Sequence, residues 1–199
     1  MITIHSTFDP TAIGTDVVLL NNNLTLSSLA GFGVWRSTRG TQGRSSGKYY
    51  WEMVAAGSFF NTFMGICNSS INLDDRLGID GNSAGINQSG FPYGPGSGSA
   101  IQSFVSGDVI GFALDMDNGF LYASVNGVWT GDPVGGTGYS FSGITGTIYP
   151  AATTDDNSLQ VTANFGATAF QYPTPSGYTS GIIRVQGVPL SSVPNYYSE

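Results

Sequence analysis

The chain has one cysteine, one histidine and one lysine in 199 residues, and each scarcity removes a class of function. Cys67 alone cannot close an internal disulfide, and no CxxC or Cys/His spacing offers a metal its ligands. His5 lies in an irregular N-terminal segment, so neither a Ser-His-Asp nor a Cys-His arrangement can be assembled. Six basic residues stand against 13 acidic ones, a net charge of −7. That balance argues against nucleic acid and anionic membrane surfaces, whose phosphates need clustered cations. No apolar run approaches a membrane span, and MITIHSTFDPTAIG has neither the cationic start nor the apolar stretch of a secretion signal. No membrane insertion is expected, and the chain is expected to be made in the cytoplasm and to reach any outside location by another route.

Other chemical signatures are missing too. There is no phosphate-cradling GxxxxGK[ST] and no dinucleotide fingerprint after a strand. Paired acids occur at Asp74-Asp75, Asp115/Asp117 and Asp155-Asp156, and two carboxylates can in principle hydrolyse a glycoside. Neighbouring carboxylates on loops usually point into water. Asp115-x-Asp117-Asn118-Gly119 resembles the start of a calcium loop, but the glycine comes one place early and Asn126 stands where the bidentate Glu belongs. The expectation is no enzyme, no metal and no cofactor. Arg36, Arg39, Arg44 and Lys48 lie close together in sequence and read as a solvated strand and loop, not as an anion site.

What is present is apolar alternation broken by turns. Hydrophobic residues make up 40% of the chain, enough for one well-buried core. Charged residues are only 10%, against about 25% in typical soluble domains, so the surface is built from Ser, Thr, Asn and Gly. The organising stretch is GDVIGFALDMDNGFLYASVNGVW, residues 107–129. Ile110, Phe112 and Leu114 alternate with Val109, Gly111 and Ala113, a strand covered on both faces. Asp117-Asn118-Gly119 then reads as a hairpin turn in which Asn and Gly tolerate positive φ. Leu121, Ala123 and Val125 share a face of the returning strand, and Asn126-Gly127 reverses the chain again.

Around this stretch, Val17 to Leu20, Leu24 to Leu26 and Val34 to Thr38 read as short strands, the first two flanking the Asn21-Asn22-Asn23 turn. Tyr49 to Val54 reads as a central strand whose Glu52 is costly to bury. Phe63 to Cys67 is a strand, with Cys67 a buried, inert thiol. Residues 68–106 are the least regular, with a short strand near Ala84 to Asn87 and the rings of Phe91 and Tyr93 held by Pro and Gly. Those rings either meet a partner with little entropy lost or pack back over the sandwich edge. Thr130 to Gly146 reads as a loop, Thr153 to Ser158 as a turn, and Leu159 to Phe165 as a half-exposed strand.

Three blocks of residues resemble a known family. Gly107 to Trp129 resembles the central signature of SPRY domains, Gly47-Lys48-Tyr49-Tyr50-Trp51-Glu52 resembles their early GK-x-YWE strand, and Tyr149-Pro150-Ala151 with Val161 to Gly166 resembles their late YP…V-x-x-NFG pair. The blocks occur in family order across residues 24–178. The resemblance implies an all-β fold, a bent antiparallel β-sandwich of two sheets with concanavalin-like jelly-roll topology, binding other molecules through its loops. The chain is expected to divide into an arm or terminal strand at 1–16, the sandwich at 17–178 and an extension at 179–199 that either adds an edge strand or docks onto a neighbour. Peptide-binding members of the family use the turn at 153–158 with the loop after the YWE strand; here that turn is acidic and lacks their aromatic residue.

FALD-x-DNG-x-LY-x-SVNG-x-W and FQYPTPSGY are most similar to SPRY domains of phage and bacterial proteins. The expected function is therefore a virion-surface component of a bacteriophage, in its tail, fibre or capsid decoration and part of a larger assembly. Its partners are expected to be a host receptor or neighbouring virion proteins. The alternatives are an intracellular adaptor that captures a short peptide and a lectin-like glycan binder. Candidate contact residues are Phe59, Phe60, Asn61, Phe91, Tyr93, Asp155, Asp156 and Asn157. Candidate attachment residues are Ile182, Ile183, Val185, Tyr196 and Tyr197.

Overall fold

The structure, a computed structural model, describes residues 2–57 and 61–186, and every regular element among them is a strand. In chain order these are β1 (Ile2–His5), β2 (Phe8–Ile13), β3 (Val17–Leu20), β4 (Thr25–Ser28), β5 (Arg36–Gly40), β6 (Lys48–Ala56), β7 (Thr62–Cys67) and β8 (Ser83–Asn87). There follow β9 (Pro92–Tyr93), β10 (Val109–Asp115), β11 (Phe120–Val125), β12 (Val128–Trp129), β13 (Tyr149–Thr154), β14 (Gln160–Asn164), β15 (Thr179–Ser180) and β16 (Ile183–Gln186). One sheet runs β12-β11-β10-β6-β14-β4-β3, the second runs β2-β5-β13-β7-β8-β9, and β1 pairs with β16 in a separate ribbon. All pairings are antiparallel except that of β15, which lies parallel to the start of β6.

The two sheets stack as a sandwich because each strand sends alternate side chains inward. Trp51, Met53 and Ala55 of β6, Ile110, Phe112 and Leu114 of β10 and Leu121, Ala123 and Val125 of β11 meet Met64, Ile66, Ile86 and Ala152 from the other sheet. Register brings Phe112 opposite both Trp51 and Ala123. The small Ala123 leaves room for Trp51 and Phe112 to stack, with centroids 5.3 Å apart. Each such buried side chain contributes about 1.5–3 kcal/mol of transfer free energy.

The reverse faces are covered as well. On the larger sheet Tyr50, Ala113 and Tyr122 lie under Tyr178, Phe170, Trp129 and Tyr139, so the stretches after β12 and β14 form a roof over it. Glu52 anchors that roof: its carboxylate accepts from the Tyr50 hydroxyl at 2.9 Å and from the backbone N–H groups of Gln171 and Tyr172 at 2.9 and 2.8 Å. Burial, with Glu52 beside it, keeps the Tyr50 hydroxyl protonated far above the ordinary phenol range. On the smaller sheet Phe63 and Cys67 lie under Ile71 and Leu77, and burial pushes the Cys67 thiol up to about 12.

The turns separate into two kinds. Asn118-Gly119 is not a two-residue turn. Met116 to Gly119 form a four-residue loop in which only Gly119 has positive φ, +70°, and Asn118 instead donates to Asp115. Asn126-Gly127 is the two-residue reversal, with φ of +49° and +77° between the paired Val125 and Val128. The expected arm at 1–16 contains β2, whose Phe8 is buried against Phe165 at 5.5 Å and whose backbone pairs with β5. The expected extension from 179 begins with β15 and the fully buried Ile182. Strand pairing thus reaches both terminal segments, and Phe8 and Ile182 are buried inside the sandwich.

Candidate partner-binding rim

Antiparallel pairing gathers five connecting segments at one end of the sandwich. They are residues 29–35 between β4 and β5, residue 57 and Asn61 flanking the β6–β7 connection, 88–91 after β8, 101–108 before β10, and 155–159 between β13 and β14. Hydrogen bonds join them. Gly33 N–H donates to the Asp155 carbonyl at 2.9 Å, Asn61 Nδ2 donates to Asp155 Oδ2 at 2.9 Å, and Gln88 Nε2 donates to Asn61 Oδ1 at 3.4 Å. Phe104 N–H donates to the Gln88 carbonyl at 2.9 Å, and Gly57 N–H donates to Ser106 Oγ at 3.2 Å. Loops tied in this way lose little conformational entropy on binding.

This rim displays apolar side chains. Leu29 is 72% exposed, Phe32 70%, Val105 67% and Phe91 56%, with Val34 also exposed. Scattered exposed apolar residues are ordinary, but several on one set of interlinked loops make a candidate interaction surface. Leu29, Phe32, Val34 and Val105 were not among the sequence candidates. The run LAGFGV, residues 29–34, resembles a glycine-softened strand start, and β5 in fact begins at Arg36, which leaves Val34 outside the sheet.

The expected contact residues divide. Asn61, Phe91, Asp155, Asp156 and Asn157 lie on this rim, whereas Phe59 and Phe60 lie outside the described residues. Asp155 is a correction. It was expected at the surface but is only 2% exposed, because it closes the end of β13 against Asn61. Burial raises its carboxyl pKa, the Asn61 bond opposes that rise, and the neighbouring Asp156 charge adds to it. Oδ1 of Asp155 has no hydrogen-bond partner among the described residues. Asp156 accepts from Ser158 N–H at 2.6 Å, and its bonding to Ser158 lowers its pKa. Tyr93 is not on the rim. It packs edge-on against Phe63 at 5.4 Å on the outside of the smaller sheet, with the Arg76 guanidinium 5.1 Å from its ring centre.

The attachment candidates divide too. Ile182 is wholly buried and forms part of the core, so it is unavailable for attachment. Ile183 and Val185 belong to β16, where Val185 is exposed and pairs with Thr3 of β1. Tyr196 and Tyr197 lie outside the described residues.

At the opposite end several charged groups are paired within the chain. Asp115, 1% exposed, receives Lys48 Nζ at 2.8 Å, Asn118 Nδ2 at 2.8 Å and the N–H groups of Asp117 and Asn118 at 3.1 Å. Burial alone would raise its pKa, but these bonds outweigh it and the net shift is downward. Arg39 pairs with Asp9 at 3.7 Å, and Arg44 donates to Gln42 and to the Ile183 carbonyl. The sequence cluster of four cations is thus dispersed into separate structural contacts. A cavity of about 290 Å³ lies beside Glu52 and Asn164, but both side chains are already engaged by the backbone of the roof.

A scan against protein-family models and a search of curated proteins each find no match to the chain. Solved structures do match. The SPRY domain of human HERC1 superposes with a TM-score of 0.65 at 20% identity, covering 78% of this chain and 96% of that one. The TRIM65 PSpry domain gives 0.61 at 18% identity, covering 81% and 90%. The fold is SPRY-like.

Proposed function

We propose that the chain is a non-catalytic binding module that engages a protein partner through the rim of Leu29, Phe32, Phe91, Val105 and the Asp155 turn. The observation that carries this reading is the gathering of exposed apolar side chains on loops already tied together by hydrogen bonds. The SPRY-like fold supports it, since a sandwich filled on the inside and covered on both reverse faces keeps its free surface at the ends of its strands.

Within that reading, the chain serves at the surface of a bacteriophage particle, where the rim contacts a host receptor or a neighbouring virion protein. Supporting this are the single lysine, the 10% charged content and the motif FALD-x-DNG-x-LY-x-SVNG-x-W. The β1–β16 ribbon, with Ile183 and Val185, is its attachment side. Immunogold labelling of purified particles tests the location: labelled mature virions are the expected result, and unlabelled ones refute it while leaving the binding reading intact.

A further inference from the structure

The rim has a chemical polarity that narrows the partner. Its segments and the adjoining turn before β3 carry four carboxylates, Asp16, Asp108, Asp155 and Asp156, and no lysine or arginine. Asp16 belongs with them because Leu29 N–H donates to its carbonyl at 2.8 Å. None of the four is in an ion pair among the described residues. Asp108 receives only neutral donors, Val105 N–H at 2.8 Å and Asn126 Nδ2 at 2.8 Å. Asp156 receives Ser158 N–H, and Asp155 keeps one oxygen without a donor among the described residues. Arg36, which flanks the rim at the start of β5, is held by Asp74 at 3.6 Å.

Like charges on the loops that carry the exposed apolar side chains repel an acidic partner and attract a basic one, and the low-dielectric contact strengthens both effects. We infer that the rim takes a polypeptide segment carrying arginine or lysine next to bulky apolar residues, its apolar side chains on Leu29, Phe32 and Val105 and its cation toward Asp156. This rests on the rim being the binding surface. It adds the sign of the partner's charge, which the fold alone does not supply. An acidic or phosphorylated segment is excluded by the same carboxylates, and a neutral apolar segment would leave them desolvated without a counter-charge.

The test pans a random peptide library displayed on yeast against the full chain, then measures the leading synthetic peptide by titration calorimetry. The expected clones are enriched in Arg or Lys beside Leu, Ile or Phe. Their affinity should fall about fivefold with Asp156→Asn and weaken as salt is raised from about 0.05 to about 0.5 M. Binding should be lost with the double change Leu29→Ser and Phe32→Ser. Asp156 and the two apolar residues lie where substitution leaves the core intact. Clones that need Leu29 and Phe32 but are neutral or acidic, or are insensitive to both Asp156→Asn and salt, overturn the inference and leave the rim reading standing. Clones indifferent to Leu29 and Phe32, or an empty selection, overturn the rim reading and this inference with it.

Discussion

Asp115 and Asp155 sit at opposite ends of the same sandwich, both almost without solvent exposure, and their surroundings treat them oppositely. Asp115 is met by an ammonium group and three neutral donors, and it stays ionised more readily than a free carboxylate. Among the described residues Asp155 is met by one side-chain amide and no cation, and burial pushes its pKa up. A buried carboxylate with all its lone pairs engaged organises the chain around it, here the β10–β11 turn. One left under-bonded costs stability in the free protein.

Changes at the bonded carboxylates should have the largest effects. Glu52 extends the Asp115 side of the comparison, and Glu52→Ala leaves the Tyr50 hydroxyl and two roof N–H groups without an acceptor. We expect a loss of about 3 kcal/mol by urea denaturation, with faster hydrogen exchange at Gln171 and Tyr172. Asp115→Ala should cost about 2 kcal/mol, less than a fully buried pair because Lys48 keeps part of its hydration. Losses below about 0.5 kcal/mol at both sites would break the comparison.

Asp155→Asn should move stability by less than about 1 kcal/mol, upward at neutral pH, because it removes an ionisation that the fold disfavours. The pH dependence gives the two aspartates opposite signs. Asp155, raised above the ordinary 3.8, contributes stability in its protonated form that is lost as pH rises from that value through its folded pKa. Asp115, lowered below 3.8, contributes stability present above that value and lost as pH falls through its folded pKa. Denaturation curves of Asp155→Asn and Asp115→Asn between about pH 2 and 6 should therefore deviate from the parent in opposite directions. The smallest stability effect is expected for Phe32→Ser, within about 0.5 kcal/mol, since its ring is already in water. A larger loss would mean that Phe32 supports the fold and would weaken its place in the rim.

Much of the fold was legible in the order of the residues. β10 and β11 lie almost where alternation placed them, from Val109 and from Phe120, and the inward set of Ile110, Phe112, Leu114, Leu121, Ala123 and Val125 matches the expected face. The costly Glu52 was also visible, although its partners were not, since Gln171 and Tyr172 lie more than a hundred residues away. The rim was only half legible. The Asp155-Asp156-Asn157 turn stood out by composition. Leu29 and Phe32 did not, because an apolar residue between strands looks the same in sequence whether it points into a core or into water.

The sequence by itself determined which side chains share a face and where the chain must reverse, because a strand's side-chain period and the φ demands of Asn126-Gly127 are local properties. Only the tertiary structure decided which carboxylate finds an ammonium group and which is buried beside an amide instead. It also decided that Phe8 and Ile182, from the two expected appendages, fill the core, and that five distant segments meet at one rim. Those outcomes depend on distances between residues far apart in the chain, and such distances are fixed only when both sheets have closed on each other.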